Sequence, residues 1–201
     1  IFSETFICSS FPEKGMRKHL DRTIKRIIAG IGFTLLAFLL LYYTFINEQD
    51  LVLDAVVSLA LLAAYYWKYD ALRQDNWSSA ALFFAVILHN LHLYGSAPFG
   101  IAFDHYMHYV AGAAIALFVD RYFYERLTHI QRILLLCFAA LGLGAVGEIM
   151  EWLGYGILGS GKGFFYFGVG DEGEWRNAIL DMTFDLLGGL TIAVCSLFRK
   201  K

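Results

Sequence analysis

Charge is what this chain has least of. Charged residues make up 17% of its 201 positions and hydrophobic residues 58%, and a soluble domain of this size has no core large enough to hide that much apolar surface. An ordinary water-soluble globule is thereby excluded. Cysteine is scarce too. Cys8 lies in the N-terminal arm, while Cys137 and Cys195 fall inside apolar runs, so a structural disulfide is not expected. No basic face suits a phosphate backbone, and nucleic acid is not an expected partner. A cleavable leader is not expected either, because the first apolar run, 27–46, is long and lacks a small-residue cleavage site. No internal repeat and no domain boundary is evident, since the longest connection is 159–177.

What the chain has in abundance is long apolar runs. Six stand out, at 27–46, 51–67, 77–93, 103–119, 133–158 and 178–198, and each approaches the roughly 17 to 25 residues a helix needs to cross hydrocarbon. Continuous rather than alternating hydrophobicity selects helices, which satisfy their own backbone in lipid. The expected fold is therefore all-α, a polytopic bundle of about six transmembrane helices. An arm at 1–26 precedes a single membrane domain at 27–198, with an outer loop at 159–177. Lys14, Arg17, Lys18, Arg22, Lys25 and Arg26 precede the first run, Lys68 and Arg73 follow the second, Arg121, Arg126 and Arg132 follow the fourth, and Arg199, Lys200 and Lys201 end the chain. The other side holds only Lys162 and Arg176. Cations concentrate on the cytoplasmic side of membrane proteins, so both termini are expected there. The arm reads either as an amphipathic surface helix over 13–28 or as a solvated basic tail.

Within the apolar runs sit ionisable residues that hydrocarbon disfavours, and such residues mark ion paths, proton relays or bound metals. Asp54 is near the outer end of the second run, and His89 and His92 near that of the third. Asp104, His105 and His108 open the fourth, Glu148 and Glu151 lie late in the fifth, and Asp181 and Asp185 early in the sixth. All of them fall in the outer half of the bilayer. His89 with His92, His105 with His108, and Glu148 with Glu151 are three apart, while Asp104 with His108, and Asp181 with Asp185, are four apart. Those intervals place each pair on one helix face.

Facing helices that donate carboxylates and imidazoles are how bundles build metal centres, and mixed nitrogen and oxygen donors suit zinc, iron or manganese. Asp104, His105, His108, Glu148, Glu151, Asp181 and Asp185 are the candidate ligands, with Asp54, His89, His92 and Arg176 as further polar-site residues. Six ionised carboxylates in a poorly solvated place require compensation, from one or two divalent cations, from Arg176, or from protons. Taken singly, His89, His92 or His105 reads more readily as an interfacial hydrogen-bonding residue than as a ligand, and Asp54 as a loop-proximal acid reaching water. Glycines at 142, 144, 147, 154, 156, 188 and 189 read as contacts that let helices approach closely. The stretch 156–163 nearly spells a phosphate-binding loop, but Gly163 stands where magnesium needs Ser or Thr. The aromatic and acidic loop 159–175 reads as a lid or as an interfacial belt.

Three motifs carry a family resemblance: D-H-x-x-H at Asp104 to His108, G-E-x-x-E-W at Gly147 to Trp152, and W-x-x-x-x-x-D-M-x-x-D-x-x-G at Trp175 to Gly188. In order and placement they resemble the bacterial inner-membrane family typified by YjdF. They are more distantly similar to the VanZ-like membrane proteins, which are linked to glycopeptide tolerance. The resemblance implies a multi-pass protein of the bacterial inner membrane with Asp104, His108, Glu148, Asp181 and Asp185 in its polar centre, and it implies no settled reaction. Glu151 stands where VanZ-like proteins have Gln, and Asp185 where they have Asn. The expected function is that of a membrane protein whose outer polar site binds divalent metal, as a metalloenzyme acting on a lipid-linked or membrane-associated substrate. The competing expectations are an accessory subunit with a membrane-protein or self-association partner, and a proton- or cation-coupled transporter.

Overall fold

The computed structural model describes residues 13–72, 74–93, 98–123, 127–158 and 173–198; the arm before residue 13 and the loop at 159–172 lie outside them. Six α-helices follow one another: α1 (Glu13–Phe45), α2 (Gln49–Lys68), α3 (Asn76–Asn90), α4 (Phe103–Phe123), α5 (His129–Leu158) and α6 (Gly173–Leu197), with one 3-10 turn at Pro98–Gly100 between α3 and α4. No strand occurs among the described residues. α1 runs unbroken from the basic arm into the first apolar run, and its 33 residues make a rod of about 50 Å, longer than the roughly 30 Å hydrocarbon core.

Among the described residues, four helices are long and apolar enough to span a bilayer, over His19–Phe45, Gln49–Lys68, His129–Leu153 and Arg176–Leu197. α3 has only 15 residues, a length of about 22 Å. α4 has the length, but Asp104, His105 and His108 in its first turns and Asp120 near its end lower its hydropathy. Large apolar side chains such as Phe38, Leu41, Leu61, Phe138 and Ile157 are exposed along the bundle, a surface that belongs against lipid rather than water.

The helices pack as two groups of three. α1, α2 and α3 enclose an aromatic cluster around Leu36, Leu62, Tyr65, Tyr69 and Phe83, with Phe118 of α4 against it. α4, α5 and α6 meet through small residues, around Ala116, Leu136 and Ala193. α3 on α4 is the helix contact between the groups among the described residues. Asp75 caps α3 by accepting from the Ser78 backbone N–H at 2.8 Å, and it also pairs with Arg121 at the end of α4 at 2.8 Å. The capping residue thus ties the first group to the second.

α4 and α6 approach until backbone touches backbone. A Cβ added at Gly112 would sit 2.2 Å from the carbonyl oxygen of Asp185, and one at Gly188 would sit 2.2 Å from that of Tyr109. Of the glycines singled out in the sequence, Gly144, Gly188 and Gly189 line helix contacts, whereas an added Cβ at Gly142, Gly147 or Gly156 would meet nothing within 4 Å. The packing reading is corrected for those three. Gly112, which no motif in the sequence marks, shares with Gly188 the close approach of backbone to backbone, an added Cβ at each lying 2.2 Å from a carbonyl oxygen.

Candidate functional site

The polar site lies at the end of the bundle where α5 finishes and α4 and α6 begin. Its base is the α4–α6 pair. His105 and His108 are three apart on α4, and Asp181 and Asp185 four apart on α6, so each helix shows two polar groups on one face. The backbone contact at Gly112 and Gly188 holds the axes close enough for a short aspartate to reach across. His105 Nδ1 is 2.6 Å from Asp181 Oδ1, and His108 Nδ1 is 3.0 Å from Asp185 Oδ2. Each imidazole Nδ1 thus shares a proton with its carboxylate across the α4–α6 contact.

That pairing determines what His108 offers. With Nδ1 against Asp185, Nε2 of the neutral imidazole would carry a lone pair, and it faces Glu148 Oε1 at 3.7 Å and Asp181 Oδ1 at 3.8 Å. Those separations are too long for hydrogen bonds. They approach the spacing of about 3 to 3.5 Å between donor atoms that share one ion at 2.0–2.2 Å. A carboxylate behind a histidine that aims the opposite nitrogen at a metal is the usual outer support of such ligands. Asp185 pairs with His108 Nδ1 and lies outside both groups of three donors among the described residues.

Glu148 and Glu151 come from α5, and Gly144, one turn before Glu148, leaves room for the acid on α6: a Cβ there would lie 2.0 Å from Asp185 Oδ2. Glu148 is 7% exposed, and neither of its carboxylate oxygens has a hydrogen-bond partner among the described residues. An ionised group buried so is costly without a counter-charge. Two sets of three donors gather within 4.8 Å of one another, Asp104 with His105 and Asp181, and His108 with Glu148 and Glu151.

Two residues of the site escaped the sequence reading. Asn177 Nδ2 donates to Asp181 Oδ2 at 2.5 Å, and Phe184 stacks on the His105 ring with centroids 5.5 Å apart. Asn177 stands four residues before Asp181, so the helical interval was an available signal. Phe184 is one apolar residue among many in α6, and nothing in the sequence marks it.

Asp54 and His92 form a neighbouring group in the α1–α3 half. His92 Nε2 is 3.9 Å from Asp54 Oδ2, and the His92 ring meets Tyr43 edge-on at 5.8 Å. Tyr43 Oη donates to the Asn90 carbonyl, and Asn90 Nδ2 donates to Ser58 Oγ at 2.8 Å. His92 has φ of 47°, a left-handed backbone that a non-glycine residue adopts at some cost; it turns the chain off the end of α3 while the imidazole stays buried. His89 lies between the groups, its ring 5.6 Å from that of His92 and within electrostatic reach of Asp104 and His108. Arg176 is exposed on the first turns of α6 and is not enclosed with the acids.

No curated protein and no solved structure matches the chain. Residues 27–201 match the family described as "Predicted membrane protein (DUF2238)", a span that takes in α1 from residue 27 onward, all of α2 to α6 and every residue of the polar site. The chain therefore belongs to the DUF2238 family of membrane proteins.

Proposed function

We propose that this protein binds a divalent cation between α4, α5 and α6 and uses it as a membrane-embedded enzyme on a lipid-linked or membrane-associated substrate. The ligands in this reading are His108 Nε2, Glu148 and Glu151, with Asp185 orienting His108. The observation that carries it is the buried Glu148 carboxylate, which has no hydrogen bond among the described residues and faces His108 Nε2 at 3.7 Å, the ring nitrogen opposite the one paired with Asp185. Zinc, iron or manganese fits the mixed donor set. Bound there, the ion would polarise a carbonyl or phosphoryl oxygen of the substrate.

Elemental analysis of protein purified without chelator should find at least one such ion per chain. Glu148→Gln, which keeps shape and removes charge, should weaken binding by tenfold or more while the chain stays folded in detergent. A wild-type content far below one ion per chain overturns the reading. Accessory-subunit and transporter roles are separated from it by co-purification of a stable partner with metal content insensitive to Glu148→Gln, and by pH-gradient-driven uptake into proteoliposomes.

In the same reading the chain sits in the bacterial inner membrane as one six-helix domain over 27–198 after the arm at 1–26, with α3 and α4 crossing as a short pair. Its kin are the YjdF-typified and, more distantly, the VanZ-like proteins. Four or six crossings alike return α6 to the side where α1 starts, and the distribution of Lys and Arg makes that side cytoplasmic. The polar site then faces outward. In a cysteine-free background, a cysteine placed at Asn47 should react with a membrane-impermeant thiol reagent in intact cells, and one at Asp70 only after permeabilisation. The opposite pattern inverts the orientation.

A further inference from the structure

We infer, building on that single-ion reading, that the centre takes two divalent ions, the second held by Asp104, His105 and Asp181, with the Asp181 carboxylate shared between them. Asp181 faces both donor sets: its Oδ1 is 2.6 Å from His105 Nδ1 and 3.8 Å from His108 Nε2, and the second ion would take the place of the proton that His105 Nδ1 and Asp181 share. It is fully buried, and Asn177 holds its other oxygen at 2.5 Å. Two-ion centres keep their ions about 3.5–4 Å apart, a separation one bridging carboxylate spans.

Charge balance supports a second ion. Asp104, Glu148, Glu151, Asp181 and Asp185 bring five carboxylates to two imidazoles, and no Lys or Arg pairs with any of them among the described residues. With neutral imidazoles and ionised acids, one divalent ion leaves three negative charges among buried and half-buried groups, and a second leaves one. Buried charge is tolerated when it is paired or coordinates metal. Glu148, whose oxygens have no hydrogen bond, supplies the independent sign that the space among these groups takes a cation. Donors distributed over three helices, rich in carboxylate with one imidazole on each ion, are the composition from which helical bundles build paired iron or manganese centres.

The decisive measurement is Mn2+ loading of the full chain in detergent after chelator stripping. Two ions per chain are expected, with an exchange-coupled electron paramagnetic resonance spectrum in place of the hyperfine-split signal of an isolated ion. His105→Gln should drop the count to one and restore the isolated-ion signal, while Asp54→Asn, outside both donor sets, should keep two coupled ions. One ion per wild-type chain overturns this inference and leaves the single-ion reading standing; none overturns both. Two ions without coupling rule out the shared Asp181. Loss of an ion in Asp54→Asn moves the second site away from Asp104, His105 and Asp181 and overturns the assignment.

Discussion

Gly112→Leu should force α4 away from α6 and abolish metal retention together with stability. Even the Cβ of alanine at this position would lie 2.2 Å from the Asp185 carbonyl oxygen and 2.7 Å from its Cα. The obstacle is backbone, so no rotamer change on the far side relieves it. Overpacking a well-filled contact costs about 1–3 kcal/mol when neighbours can shift, and a leucine against backbone belongs at or beyond the top of that range. The functional loss should exceed the loss of stability. Asp181 and Asp185 reach His105 and His108 only because the axes are close, and an aspartate has no length to spare. Thermal unfolding in detergent and metal content on the same sample check this. Gly142→Ala is the contrasting substitution: its Cβ meets nothing within 4 Å, so stability should stay within about 0.5 kcal/mol of the parent or rise. A Gly112→Leu chain with parental stability and full metal content would show that the α4–α6 spacing does not build the site.

Asp120→Ala should be comparably damaging at the opposite end of the bundle. Asp120 and Arg132 are 3% and 2% exposed, with Arg132 Nε 3.5 Å from Asp120 Oδ1. Arg132 Nη1 donates to the Ser196 carbonyl at 3.3 Å. One guanidinium thus joins the ends of α4, α5 and α6. Removing the acid leaves the cation buried without its carboxylate, and breaking such a pair costs about 3–5 kcal/mol. The double variant Asp120→Leu with Arg132→Met should recover most of that loss, because well-packed apolar residues replace buried pairs at little or no cost. Equilibrium unfolding in mixed micelles measures all three chains. A single variant that loses less than about 1 kcal/mol would mean that water or lipid headgroups reach the guanidinium.

The six helices fall close to the six apolar runs because a run long enough to cross hydrocarbon is a local property, readable without knowing its neighbours. α3 shows the limit of that reading. The run at 77–93 suggested a full crossing, yet the helix stops at Asn90, and His92 takes a left-handed backbone that directs its imidazole toward Asp54. Composition does not reveal a stop at Asn90, because Leu91 and Leu93 on either side of His92 carry the apolar run three residues further.

The candidate site was legible to the extent that helical intervals of three and four place acids and histidines on common faces. By itself the sequence determined that this chain is a helical membrane protein with costly polar groups clustered toward one end of its helices, since hydropathy and periodicity are carried by neighbouring residues. Only the tertiary structure decided which groups meet: His105 with Asp181, His108 with Asp185 and then Glu148, while Asp54 and His92 form their own group across the α3–α4 contact. Those pairings depend on the distance between α4 and α6, and that distance depends on what fits opposite a glycine that no intrahelical interval identifies.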